Sequence, residues 1–167
     1  MDNKNAENEA LQPVIHKPEG TLYETFYQNL TGYFKLPADA ADWLVMVYDG
    51  FQFFDDVVDG DDINRKEFDR NLYSSFIGMH LNPFYAAHQA ILYPQLLNAI
   101  IKWQASDIAE RDDQVDEKTF IWRAGYFDLV LSCITICHGY KFACEKSVDV
   151  MNLYSENFKE YKDEFNA

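Results

Sequence analysis

Apolar residues recur along this chain at three- and four-residue steps, the period of a helix with one buried face. Leu22, Phe26, Leu30, Tyr33 and Phe34 mark a first helix that stops before Pro37. Thr21 and Glu24 have the spacing of a capping box at its start. Ala40, Trp43, Leu44, Val47, Phe51, Phe54 and Val58 line one broad face of a second helix, from about Ala38 to Val58, with Gly60 as its stop. This is the most apolar segment, so it belongs at the centre of a bundle, with Trp43, Val47, Phe51, Phe54 and Val58 in the core.

A third, shorter helix starts at Asn64 and turns Phe68, Leu72, Tyr73 and Phe76 inward, with Gly78 closing it. Asn82-Pro83 supplies an N-cap and a first-turn proline for a long helix to about Glu110, which Pro94 should kink. Another helix is expected from about Asp116 to His138 with Gly139 as its stop. A last one should run from about Glu145 to Phe165, with Val148, Met151, Phe158, Tyr161 and Phe165 inward. No stretch shows strand alternation between turn dipeptides. The expectation is an all-α, single-domain bundle of about six helices over 20–167, preceded by a polar arm, 1–19, that reads as flexible.

Composition agrees with one domain and narrows the partners. The chain has 167 residues, 48% of them hydrophobic, enough for a real core. Its formal net charge is -14, which repels nucleic acid and anionic membranes and suits cations or a basic protein partner. The first twenty residues lack the apolar core of a secretory signal. The apolar stretch from Trp43 to Val58 is interrupted by Asp49, Asp55 and Asp56, so it is not a membrane span. A cytoplasmic location is expected. Cys133, Cys137 and Cys144 have no zinc-site spacing and read as free thiols, the first two reduced and mostly buried.

The chemistry-bearing feature is the run Asp55-Asp56-Val57-Val58-Asp59-Gly60-Asp61-Asp62. Asp42, Asp49 and Asp56 fall on one line of the second helix, with Asp59 beside it and Asp55 further round. No lysine or arginine lies between Lys35 and Arg65. Unpaired carboxylates one turn apart repel, and a divalent cation would relieve that; magnesium accepts two or three carboxylates with phosphate oxygens and waters. The alternative is the solvated face of an amphipathic helix. An EF-hand does not fit, because Val57 and Lys66 would stand at ligand positions.

Asp55-Asp56-Val57-Val58-Asp59 has the DDxxD form at the end of an apolar helix, and so resembles the first aspartate-rich motif of class I isoprenoid (terpenoid and prenyl diphosphate) synthases. The resemblance implies an isoprenoid-synthase-like bundle in which Asp55, Asp56 and Asp59, with Asp49 nearby, hold magnesium and a substrate diphosphate. Lys102 to Glu110 resembles that family's second metal motif, with Ser106 and Glu110 in register and Lys102 where asparagine is expected. Arg123 and Lys102 would neutralise the diphosphate, and Asp128 is a further acidic candidate. Arg123 has a second reading, an internal ion pair with a carboxylate from another helix. Tyr48 to Asp61 and Asn82-Pro83-Phe84-Tyr85 also resemble small helical proteins of tailed phages and prophages. That implies the host cytoplasm and a possible non-enzymatic role, an acidic face for a basic host or virion partner. No phosphate loop, nucleophile elbow or HExxH is present.

Overall fold

The computed structural model describes residues 22–154 and 156–165. The polar arm and the Thr21 cap lie outside them. Among the described residues there is no strand, so the all-α expectation is met. Helix α1 (Leu22–Gln28) runs into a π-helical turn, Asn29–Tyr33. Helix α2 spans Ala38–Asp59 and ends on Gly60 in the left-handed region, φ 79°, as its sequence indicates.

Helix α3 (Arg65–Tyr73) starts on the Asn64 cap, whose side chain accepts from the Glu67 amide. The chain does not stop at Gly78: a π turn, Ser74–Gly78, leads directly into a short α4, Met79–Leu81. Helix α5 covers Pro83–Arg111 and continues through Pro94. The segment expected as one helix from Asp116 is two, α6 (Glu117–Arg123) and α7 (Phe127–Met151), joined by a 3-10 turn at Ala124–Tyr126. Gly139 breaks α7 with φ 80°, and the helix resumes at once instead of waiting for Glu145. Helix α8, Phe158–Phe165, is separate. By length and composition Glu117–Met151 could cross a membrane, but here its apolar residues Leu129, Val130, Cys133 and Ile134 are core.

The core lies around the N-terminal half of α2. Ala40, Ala41, Trp43, Leu44, Val45 and Val47 are all buried among α1, α5 and α7, and Asp42 marks the exposed line of this half. Val45 and Phe53, which interleave with the aspartates, are buried as well. Trp43 stacks on Tyr85, and the Tyr126 hydroxyl donates to the Leu44 carbonyl at 2.6 Å. The C-terminal half differs. Phe54 and Val58 are each 47% exposed, and Phe51 is half-buried, because among the described residues no element closes over that side. Phe68, Leu72, Tyr73 and Phe76 are also exposed; α3 instead buries Asn71. On the C-terminal segments Tyr161 is buried and Phe158 half-buried, while Val148, Met151 and Phe165 face outward. α7 ends at Met151 and α8 begins at Phe158.

Candidate functional site

A single guanidinium organises the polar residues of the bundle. Arg123, at the end of α6, donates from Nη2 to both Asp55 oxygens at 2.8 and 2.7 Å. Its Nη1 donates to both Glu110 oxygens at 3.1 and 2.8 Å. The planar fork thus holds two carboxylates at once, one from α2 and one from α5. The side chains are 19% (Arg123), 23% (Asp55) and 8% (Glu110) exposed. Neutral donors add to the cluster. Trp103 Nε1 donates to Asp55 Oδ1 at 3.1 Å and the Tyr161 hydroxyl to Glu110 Oε1 at 2.5 Å, while the one hydroxyl proton of Ser106 lies between Glu110 Oε1 at 3.1 Å and the Thr119 carbonyl at 3.0 Å. Burial pushes the Arg123 guanidinium down, and the two carboxylates more than reverse this, leaving it above its usual value. Burial and the bond to Glu110 push the Tyr161 hydroxyl well up. Four helices meet in this cluster.

The structure therefore brings together Asp55, Ser106, Glu110 and Arg123. Lys102 and Asp128 form their own pair at 2.5 Å, outside the cluster. Asp49 and Asp56 share a line about 100° round the helix from Asp55, so they point away from the cluster, while Asp59 stays one turn from Asp55. Asp49 lies 3.8 Å from Arg70 of α3, and burial raises its carboxyl pKa. Asp56 is raised by burial, then by Asp61 and Asp55. Asp59 is raised by burial, then by Asp55, against Arg123. Among the described residues no group of three histidine, cysteine or acidic side chains gathers closely enough to hold a metal.

Beside the ion cluster is an apolar cavity of about 320 Å³ between α2, the Ser74–Gly78 turn and α5. Its walls include Val47, Phe51, Phe54, Val57 and Val58 of α2, Met79, and Leu96, Ile100 and Trp103 of α5. Ser75 and Gln104 are its polar positions, and no carboxylate lines it. Trp103 connects the two features: its ring is cavity wall and its N–H binds Asp55. Gly50 also lines the wall, and a Cβ there would meet nothing within 4 Å.

The signal for this cavity was present in the sequence. Phe51, Phe54 and Val58 share the helical face assigned to the core, and Val57 and Val58 are the two residues between the motif's aspartates. The partners on α5 and the π turn had no comparable signal. No protein-family model, curated protein or solved structure matches this chain.

Proposed function

We propose that this protein binds an apolar chain, of isoprenoid or fatty type, in the cavity between α2 and α5. One observation carries the reading. Large apolar side chains stand on the burial face of α2, at core spacing, yet the fold leaves Phe54, Val57 and Val58 each 47% exposed around an apolar cavity. A ligand would bury them. Covering the exposed halves of three such side chains is worth roughly 3 kcal/mol before association costs. Ligand pockets run from about 300 to 1,000 Å³. At about 320 Å³ this one suits a single short chain or one ring system, not a bulky cofactor. The reading needs no metal, since no carboxylate lines the cavity.

A magnesium-held diphosphate head on that chain is the second reading. The observation favouring it is the meeting of Asp55 with Ser106 and Glu110, from the two motif halves, next to the cavity wall at Trp103. In that case Asp55, Asp56 and Asp59, which do not converge here, would have to draw together around the metal, and Arg123 would trade one carboxylate for phosphate oxygens. Tryptophan fluorescence and thermal melts with farnesol, and with farnesyl diphosphate plus magnesium, separate the two. Farnesol alone raising the melting temperature supports apolar binding. A response confined to the diphosphate with magnesium supports the second reading. Silence from both removes the cavity from consideration.

A further inference from the structure

Two polar side chains interrupt the apolar cavity wall, and they stand at different depths. Among the described residues neither Ser75 nor Gln104 has a hydrogen-bond partner for its side chain. Asn82 Nδ2 donates to the Asp39 carbonyl, a Cβ on Gly78 would stand 3.2 Å from Met46 Sδ, and Phe68 packs on Phe53. The segment 68–82 therefore runs antiparallel to α2, and Ser75 falls level with Gly50. A Cβ at Gly50 would meet nothing within 4 Å, so open space for a small group remains at that level. Helix α5 runs parallel to α2, because Tyr85 stacks on Trp43 while Trp103 meets Phe51 and Asp55. Gln104 thus lies towards the Phe54 end. Val47, near Gly50, is buried, whereas Phe54, Val57 and Val58 are exposed. Half-buried Ser75 belongs to the inner part of the cavity, and exposed Gln104 to its mouth.

We infer that the cavity takes its chain with an uncharged hydroxyl end inward, hydrogen-bonded to the Ser75 hydroxyl; this rests on the apolar-chain reading above. Water reaches Gln104 at the mouth whatever is bound. It no longer reaches Ser75 once a chain covers it, and a hydroxyl stranded against hydrocarbon costs about ten-fold in affinity. A hydroxyl on the ligand removes that penalty, since each of the two groups can donate and accept. Ser75 could equally meet a carboxylate or an ammonium, but charge argues against both. No lysine, arginine, aspartate or glutamate lines the cavity, so an ionised end would lose its hydration without gaining a counter-charge. Arg123 does not supply one, because it is held by Asp55 and Glu110. With two carboxylates to one guanidinium, the cluster behind Trp103 is negative and further opposes an anionic end.

Fluorescence titrations of the full chain near neutral pH, with four ligands that share one prenyl chain, test this. They are farnesol, the hydrocarbon farnesene, farnesoic acid and farnesylamine. Farnesol should bind about ten-fold or more tightly than each of the others. Ser75→Ala should weaken farnesol by about ten-fold and leave farnesene no weaker, while Ser75→Thr, which keeps a hydroxyl, should retain the preference. Gln104→Leu should leave farnesol within about two-fold of the wild type. Farnesene, farnesoic acid or farnesylamine binding as tightly as farnesol overturns the inference and leaves the apolar-chain reading standing. So does a Ser75→Ala variant that binds farnesol like the wild type, or a loss confined to Gln104→Leu, which would put the hydroxyl at the mouth. Failure of all four ligands to bind removes the apolar-chain reading and this inference with it.

Discussion

Replacing Arg123 with methionine tests the ion cluster most sharply. The substitution keeps a long apolar stem but removes the cation shared by Asp55 and Glu110. Glu110 is then 8% exposed with no opposite charge, and Asp55 keeps only the Trp103 N–H. Breaking a buried pair from one side costs about 3–5 kcal/mol, because the stranded charge stays desolvated. The Tyr161 hydroxyl remains on Glu110, with the Ser106 hydroxyl within reach of it, and this keeps the loss near the lower figure. At a urea slope of about 2 kcal/mol/M, the denaturation midpoint should fall by roughly 1.5–2 M. A triple variant that also carries Asp55→Asn and Glu110→Gln removes the stranded charges, while the amide oxygens still accept from Trp103 and Tyr161. It should recover at least half of the loss. A single variant that shifts the midpoint by less than about 0.3 M, or a triple variant no better than the single one, would refute the account.

Three other outcomes are expected. Burial, with the neighbouring carboxylates, raises the pKa of Asp49, Asp56 and Asp59 above the ordinary 3.8, so the folded chain binds more protons than the unfolded one just above that value. Stability should therefore rise as pH falls from neutral through the raised values, flattening in Asp56→Asn; a melting temperature that drops between about pH 7 and pH 5 contradicts this. Burial pushes the Cys133 thiol far up and the Cys137 thiol up, while Cys144 is exposed. A thiol reagent should label Cys144 fast and Cys133 only on unfolding, and rapid native labelling of all three would disprove the packing. Gly50 sits mid-helix with open space where its Cβ would be, so Gly50→Ala should stabilise by up to about 1 kcal/mol in urea titrations; a loss of stability would mean that the cavity wall is closed there.

The helical class, the Gly60 and Gly139 breaks and the N-terminal half of α2 were legible in the sequence, because period and caps act locally. Burial at the helix ends was not. Phe54, Val58, Phe68 and Phe76 carry core spacing, but whether another element covers them depends on the path of the chain. The same limit applies to the site. Asp55 and Arg123 stand out as charges on apolar helices, and an internal ion pair was one of the two readings for Arg123. That Glu110 is the second carboxylate follows only once α5 lies beside α6. The aspartate run looks like one unit in sequence, yet helical rotation sends Asp49 towards α3 and Asp55 towards Arg123. Tyr161 had no polar signal at all; its hydroxyl reaches Glu110 because α8 packs beside α6.

The claim that matters most is that the α2–α5 cavity takes an apolar chain. Titrating farnesol into the wild type, with the fluorescence of Trp103 as reporter and Trp43 and Trp122 replaced by phenylalanine, tests it directly. The account predicts saturable quenching or enhancement, loss of that signal in Gly50→Leu, whose side chain fills the cavity, and no loss in Ile121→Ser on a distant face. A titration that never saturates, or one that Gly50→Leu leaves unchanged, would contradict it.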